Sequence, residues 1–341
     1  MKKSDNGKRK IYIPLLMLAI ITIGVMIGLN VIQYRLLSET SGDAGENVSY
    51  EYHIAMITGN YSDIFWQSVY KEAHESGMEL GMYVEDFGIE LNEEYSVLEL
   101  MEMAIAAKVD GIIVEADNSV EMQEMIQKAN SQSTPIPVIT IGNDATGSER
   151  KGFVGANNYA LGEKYGNQIL ALPEEKLQNV VVLMPNDSEN AQPNLIYSGI
   201  NEALMKSDQE VRLTTVFTNE NDEFETEEKI RDLLIGTEKR PNVVVCLNMV
   251  DTISTYQCLV DYNLVGVVEM IGNGLTPEIA DGIQKGIINA SVATNASEMG
   301  KTAVRGMYEY VTEEYVSDYT PVKSELITKE NVGDHIEKDE K

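Results

Sequence analysis

The chain has 341 residues, 55 acidic against 26 basic, for a formal net charge of −29 with 43% hydrophobic residues. That charge repels phosphate backbones and anionic surfaces, so nucleic acid is not an expected partner. The length past the first forty residues suits two domains of about 100–200 residues each.

The first ten residues carry Lys2, Lys3, Lys8, Arg9 and Lys10 against Asp5, a local +4 that leaves −33 for the rest. From Ile11 to Tyr34 no side chain is charged, and about 20 apolar residues suffice for a helix to cross a bilayer. Only Arg35 follows the run before Lys71, an asymmetry that predicts a single-pass anchor with a cytoplasmic N-terminus and everything else outside. A cleaved signal peptide is the alternative. The run exceeds the usual signal core of about 7–15 residues, and no small-residue cleavage site follows it closely. No Cys follows it either, so the expected anchor is the helix and not a lipid. Residues 35–50, rich in Ser, Gly, Asp, Glu and Asn, read as a tether.

Beyond the tether, short apolar runs alternate with amphipathic stretches. His53 to Thr58 reads as a strand, Phe65 to Ser76 as a helix and Gly81 to Val84 as a strand, followed by a helix whose Leu98, Met101 and Ile105 share one face. Further strands are predicted at Gly111–Val114, Pro137–Ile141, Asn179–Met184, Val211–Phe217, Asn242–Leu247 and Val265–Ile271. Helical spacing between most of them predicts an α/β fold of βαβ units, with parallel sheets covered on both faces. Thr276-Pro277 reads as an N-cap and first helical residue, with Gly286 closing that segment. Cys246 and Cys258 read as two buried free thiols, with a disulfide as the alternative in an oxidising compartment.

In open α/β sheets ligands bind beyond the carboxyl ends of the strands. There an asparagine recurs, as Asn60, Asn143, Asn186, Asn248 and Asn273. Neutral amides suit a solute rich in hydroxyls, although asparagine is also a favoured turn and cap residue. Phe65 and Trp66, the latter the chain's only Trp, could stack on a flat ligand or start a buried helix. Asp63 could accept from a hydroxyl or cap that helix. None of the three histidines, His53, His74 and His335, has a partner at triad or metal spacing, and no glycine-rich phosphate loop is present. Neither an enzyme, a metal nor a cofactor is expected. The acidic run Asp222, Glu223, Glu225, Glu227 and Glu228 reads as a solvated face.

Five segments, Phe65-Trp66-Gln67-Ser68, Val109 to Val114, Ile136 to Ile141, Phe153 to Asn158, and Gly282-Ile283-Gln284-Lys285-Gly286, carry a further signal in their order and spacing. Together they resemble the type I periplasmic-binding-protein superfamily, in the branch of ribose-binding proteins and LacI-like effector domains. The resemblance implies two similar lobes joined by three crossovers near Ala156-Asn157, Thr294-Asn295 and Val322-Lys323. The lobes would be residues 51–156 with 295–322 and residues 157–294 with 323–332, followed by a charged tail at 333–341. Carried over by position, the stacking aromatics fall on Phe65 and Trp66, a polar contact on Asp63 and a second-lobe amide on Asn248. The pattern also departs. The Asp-Arg pair of sugar binders reads Gly142-Asn143, a later Asp falls on Gly274 beside Asn273, and the hinge Gln falls on Thr294. An expected Arg appears as Ile196, with Gln192 and Asn194 nearby. The charged bidentate contacts that grip an ordinary pyranose or furanose are therefore missing. The expected site is Asp63, Phe65, Trp66, Asn143, Asn186, Gln192, Asn248, Asn273 and Thr294. The expected role is closure on a small neutral polar ligand, sugar or sugar-like, for an ABC importer; the alternative is sensing for a membrane histidine kinase without transport.

Overall fold

The computed structural model describes residues 50–339 apart from 60–62, 92, 94, 178, 186–191, 220–221 and 237–238. The expected membrane helix at 11–34 and the tether up to residue 49 lie outside the described residues. Among those described, no helix is long and apolar enough to cross a membrane.

Two six-stranded sheets organise the chain. The first takes β1 (Tyr52–Ile57), β2 (Met82–Asp86), β3 (Gly111–Val114), β4 (Val138–Ile141), β5 (Gly152–Ala156) and β11 (Tyr319–Val322), in the order β11-β5-β4-β3-β1-β2, all parallel. The second takes β6 (Val180–Pro185), β7 (Leu213–Thr218), β8 (Val243–Cys246), β9 (Glu269–Asn273), β10 (Ala290–Thr294) and β12 (Ser324–Thr328), in the order β12-β10-β9-β8-β6-β7. Only β12 runs antiparallel to its neighbour.

Helices cover both faces, as the βαβ alternation requires. They are α1 (Ile64–Glu79), α2 (Val97–Ala107), α3 (Val120–Asn130), α4 (Asn158–Leu170), α5 (Gln192–Met205), α6 (Glu223–Ile235), α7 (Met249–Asp261), α8 (Pro277–Gln284), α9 (Ala296–Glu313) and α10 (Val332–Asp339). Alternation along β1 sends Ile54 and Met56 into the cluster with Trp66, Val69 and Met299, and Ala55 and Ile57 into the one with Leu100, Ile112 and Ile126. β6 divides the same way, Val181 and Leu183 to one face, Val180 and Val182 to the other. Each fully buried Val, Leu or Ile contributes about 1.5–3 kcal/mol relative to exposure.

Helix starts are set by side-chain caps. Ser96 and Glu99 form a capping box on α2, Thr276 with Pro277 opens α8, and Asn157, Asn248 and Asn295 cap α4, α7 and α9. The two helices that follow crossovers, α9 and α4, each pack closely against a neighbouring helix, α1 and α5 respectively. A Cβ on Gly300 of α9 would fall 2.2 Å from the Val69 carbonyl of α1, and one on Gly162 of α4 would fall 2.0 Å from the Ile196 carbonyl of α5.

All eight sequence-predicted strands overlap observed ones. The last is displaced, because Val265 to Val267 are exposed around Gly266, whose φ is +76, and β9 begins at Glu269. The charged segment from 333 is helical in α10, anchored by the buried Val332. Cys246 and Cys258 are free and buried, and burial together with the nearby Asp251 carboxylate pushes the Cys246 thiol up.

Candidate functional site

The chain passes between the sheets three times: after β5 at Asn157, after β10 at Asn295, and at Lys323 between β11 and β12. In a parallel sheet, the end at which β5 and β11 hand the chain over is the carboxyl end of every strand. The same holds for β10 and its parallel neighbours in the second sheet, where antiparallel β12 begins. The two carboxyl edges therefore face each other across the crossovers, where α/β proteins bind ligands. The crossovers are tied together: Ala156 pairs with Val322, Thr294 with Ser324, and the Asn295 N–H donates to the Lys323 carbonyl at 3.0 Å.

On the first edge, Asp63 caps α1 by accepting from the Phe65 N–H at 2.7 Å. Its capping role is thus built, and its second oxygen remains for other contacts. Phe65 and Trp66 meet edge to face with centroids 5.2 Å apart. Trp66 is only 9% exposed and belongs to the core with Val69 and Met299, while Phe65 is half-buried against that core. The indole lies on Gly142, so that a Cβ there would come 2.8 Å from Trp66 Cη2. The ring occupies the space that a side chain at 142 would need.

Glu115 leaves β3 at the centre of this edge. Its Oε2 accepts from the Gly59 N–H at 3.1 Å and its Oε1 from Asn143 Nδ2 at 3.4 Å, bridging the segments that follow β1 and β4. Beyond Trp66 lies a recess of about 210 Å³, its open mouth included, lined by Met56, Thr58, Trp66, Gln67, Tyr70 and Asp86. Burial, and then the neighbouring Glu85 charge, pushes the Asp86 carboxyl up to about 6.

On the second edge, Asn248 caps α7, its Oδ1 accepting from the Asp251 N–H at 2.7 Å and its Nδ2 donating to Asp251 Oδ2 at 2.9 Å. Asp251 is fully buried, and Thr218 Oγ1 also lies 2.9 Å from its Oδ2. Asn273 donates from its backbone to Thr252 Oγ1 at 2.9 Å and from Nδ2 to the Tyr165 hydroxyl at 2.9 Å. Tyr165, wholly buried in α4, lies with its hydroxyl 3.3 Å from the Gly272 carbonyl, and burial pushes its phenol up. Thr294 ends β10, half-buried beside the second crossover.

Asn143 thus shares the first edge with Asp63, Phe65 and Trp66, and Asn248, Asn273 and Thr294 share the second. Asn60, Asn186 and the side chain of Gln192 lie outside the described residues. Glu115, Asp86, Asp251 and Tyr165 were missed. Glu115 and Asp251 had signals: one directly follows a predicted strand, and the other stands three residues after Asn248, at capping distance. Tyr165 had none, since only packing brings α4 beneath β9. Among the described residues no group of three or more His, Cys, Asp or Glu could hold a metal.

A model described as periplasmic binding protein domain matches residues 54–314. Among solved structures, the chain is similar to GanP, a glucose-galactose binding protein from Geobacillus stearothermophilus, at 26% identity, TM-score 0.73, covering 82% of this chain and 98% of that one. An ABC transporter solute-binding protein from Burkholderia graminis, in complex with D-arabinose, matches at 18% identity, TM-score 0.72, covering 83% and 97%. XylFII, in the XylFII–LytSN complex, matches at 21% identity, TM-score 0.68, covering 82% and 98%. Comparison with curated proteins finds no match.

Proposed function

The chain belongs to the periplasmic binding protein domain family, and from that premise we propose that it is an extracytoplasmic receptor that closes on a small neutral polar solute, sugar or sugar-like, for an ABC importer. It is a binding protein and not an enzyme. The observation that carries the reading is the pair of opposed carboxyl edges joined by three crossovers and presenting amides and hydroxyls, Asn143, Asn248, Asn273 and Thr294. Similarity to the glucose-galactose binder supports the sugar class.

In this reading one lobe is residues 51–156 with 295–322 and the other is 157–294 with 323–332. The ligand contacts are Asp63, Phe65, Trp66, Asn143, Asn186, Gln192, Asn248, Asn273 and Thr294, with Glu115 orienting Asn143. Hinge closure at the crossovers is the response to ligand. The apolar segment at 11–34 serves as a single-pass anchor with its basic N-terminal flank in the cytoplasm. A second reading, in which the closed form is read by a membrane sensor kinase without transport, is favoured by the similarity to XylFII, which one structure shows in complex with LytSN.

A thermal-shift screen of the full chain against sugars, polyols, nucleosides and small amides tests the proposal. A solute at about 100 times its Kd adds about 2.7 kcal/mol of stability. A hit that is lost on Asn273→Ala supports the site; a panel without any hit refutes a sugar-like solute.

A further inference from the structure

A second concavity lies beside the crossovers and shares no lining residue with the strand-edge site. It measures about 680 Å³, its open mouth included, and is walled by Asn157, Ala160, Leu161 and Lys164 from the start of α4 and by Val322, Lys323, Ser324 and Glu325 where β11 passes into β12. Buried Leu161 and Val322 supply an apolar floor. In a chain whose acids outnumber its bases 55 to 26, this groove is lined by two lysines, and among the described residues neither Lys164 nor Lys323 forms an ion pair. The Lys164 ammonium donates to the Ser324 carbonyl, a neutral partner. The one carboxylate on the rim, Glu325, lies 3.6 Å from His335 Nε2.

We propose that this hinge groove binds a small oxyanion-bearing molecule, a carboxylate or phosphate, between Lys164 and Lys323. Two lysines that form no ion pair, lining one groove with an apolar floor, suit an anion carrying a short carbon skeleton. Such a ligand gains Coulomb energy at a partly desolvated surface, where the effective dielectric is well below that of water. Position gives the site a consequence. One wall is the helix that follows the first crossover, and the other is the third crossover itself, so an occupant touches two of the three crossovers. On the proposed hinge closure its affinity and that of the cleft solute are coupled, and by linkage each alters the other by the same factor.

The test titrates the full chain with inorganic phosphate and with citrate against chloride at matched ionic strength, following the melting temperature. A saturable rise with at least one oxyanion is expected, with affinity falling by about tenfold or more in Lys323→Gln, a loss of about 1.4 kcal/mol. Lys323 is exposed, so this variant folds even if Lys164→Gln disturbs the contact with Ser324. Asn273→Ala, which alters the strand-edge site, should leave the oxyanion response intact. A rise that never saturates, one unchanged in Lys323→Gln, or one abolished by Asn273→Ala overturns the proposal. None of these arms requires a sugar, so their outcome is independent of the cleft solute.

Discussion

Gly142→Ala isolates the packing that sets the first edge of the site. Gly142 has φ +72, where a Cβ crowds the following carbonyl and costs about 1–2 kcal/mol. The added methyl would also come 2.8 Å from Trp66 Cη2 and 3.2 Å from Cζ2, both on the six-membered ring of an indole that is 9% exposed and packed in the core. That ring is not a flexible end able to swing aside, and overpacking of this kind costs about 1–3 kcal/mol more. The expected loss is therefore about 2–5 kcal/mol, read in urea unfolding as a lower midpoint at unchanged slope. Trp66→Phe removes the atoms that collide, so in that background Gly142→Ala should cost only the backbone part, about 1–2 kcal/mol. Equal losses in both backgrounds would refute the claim that the indole is what forbids a side chain at 142.

Two further perturbations address buried polar groups. Asp86 titrates near 6 in the folded chain against an ordinary 3.8. The native state therefore holds the proton more tightly, and stability falls as pH rises from about 4 to about 6. Because Asp86 is only half-buried, the loss is discounted to about 1–2 kcal/mol. Asp86→Asn should flatten that slope and raise stability at pH 7; a slope unchanged in the variant would assign it to another group. Tyr165→Phe deletes the hydroxyl between Asn273 Nδ2 and the Gly272 carbonyl. It should cost about 1–2 kcal/mol in the same unfolding assay and weaken solute binding by letting Asn273 rotate, whereas unchanged binding would remove Asn273 from the contacts.

The parts of the fold legible in the sequence were those with unbroken apolar runs or a regular apolar spacing. β8 reads Val-Val-Val-Cys and is buried throughout, so its apolar run announced it. The strands beside the crossovers did not announce themselves. β10 is Ala-Ser-Val-Ala-Thr, β12 carries Ser, Glu and Thr, and β11 contains Pro321. Proline is tolerated in β11 because that strand is the outermost of its sheet, an arrangement visible only after pairing is known. The site divides similarly. Residues that leave strands could be found by position, whereas Tyr165 reaches Asn273 across 108 positions of sequence and only through helix packing. The close approach of the Trp66 indole to Gly142 likewise became visible only through packing.

Capping and binding need not be alternatives for the asparagines at strand ends. An amide offers two N–H groups and two lone pairs on oxygen. Asn248 commits one of each to Asp251, and Asn273 commits one N–H to Tyr165. What remains on each is still a donor and an acceptor, now held in a fixed direction by the bonds already made. Ordering a mobile side chain on binding costs about 0.5–1.5 kcal/mol, and two amides oriented in advance by a helix cap and a buried tyrosine avoid most of that cost. The contacts that made asparagine ambiguous in the sequence are thus the ones that would make it effective at the site, and the cap at Asn248 supports the proposed contact there instead of replacing it.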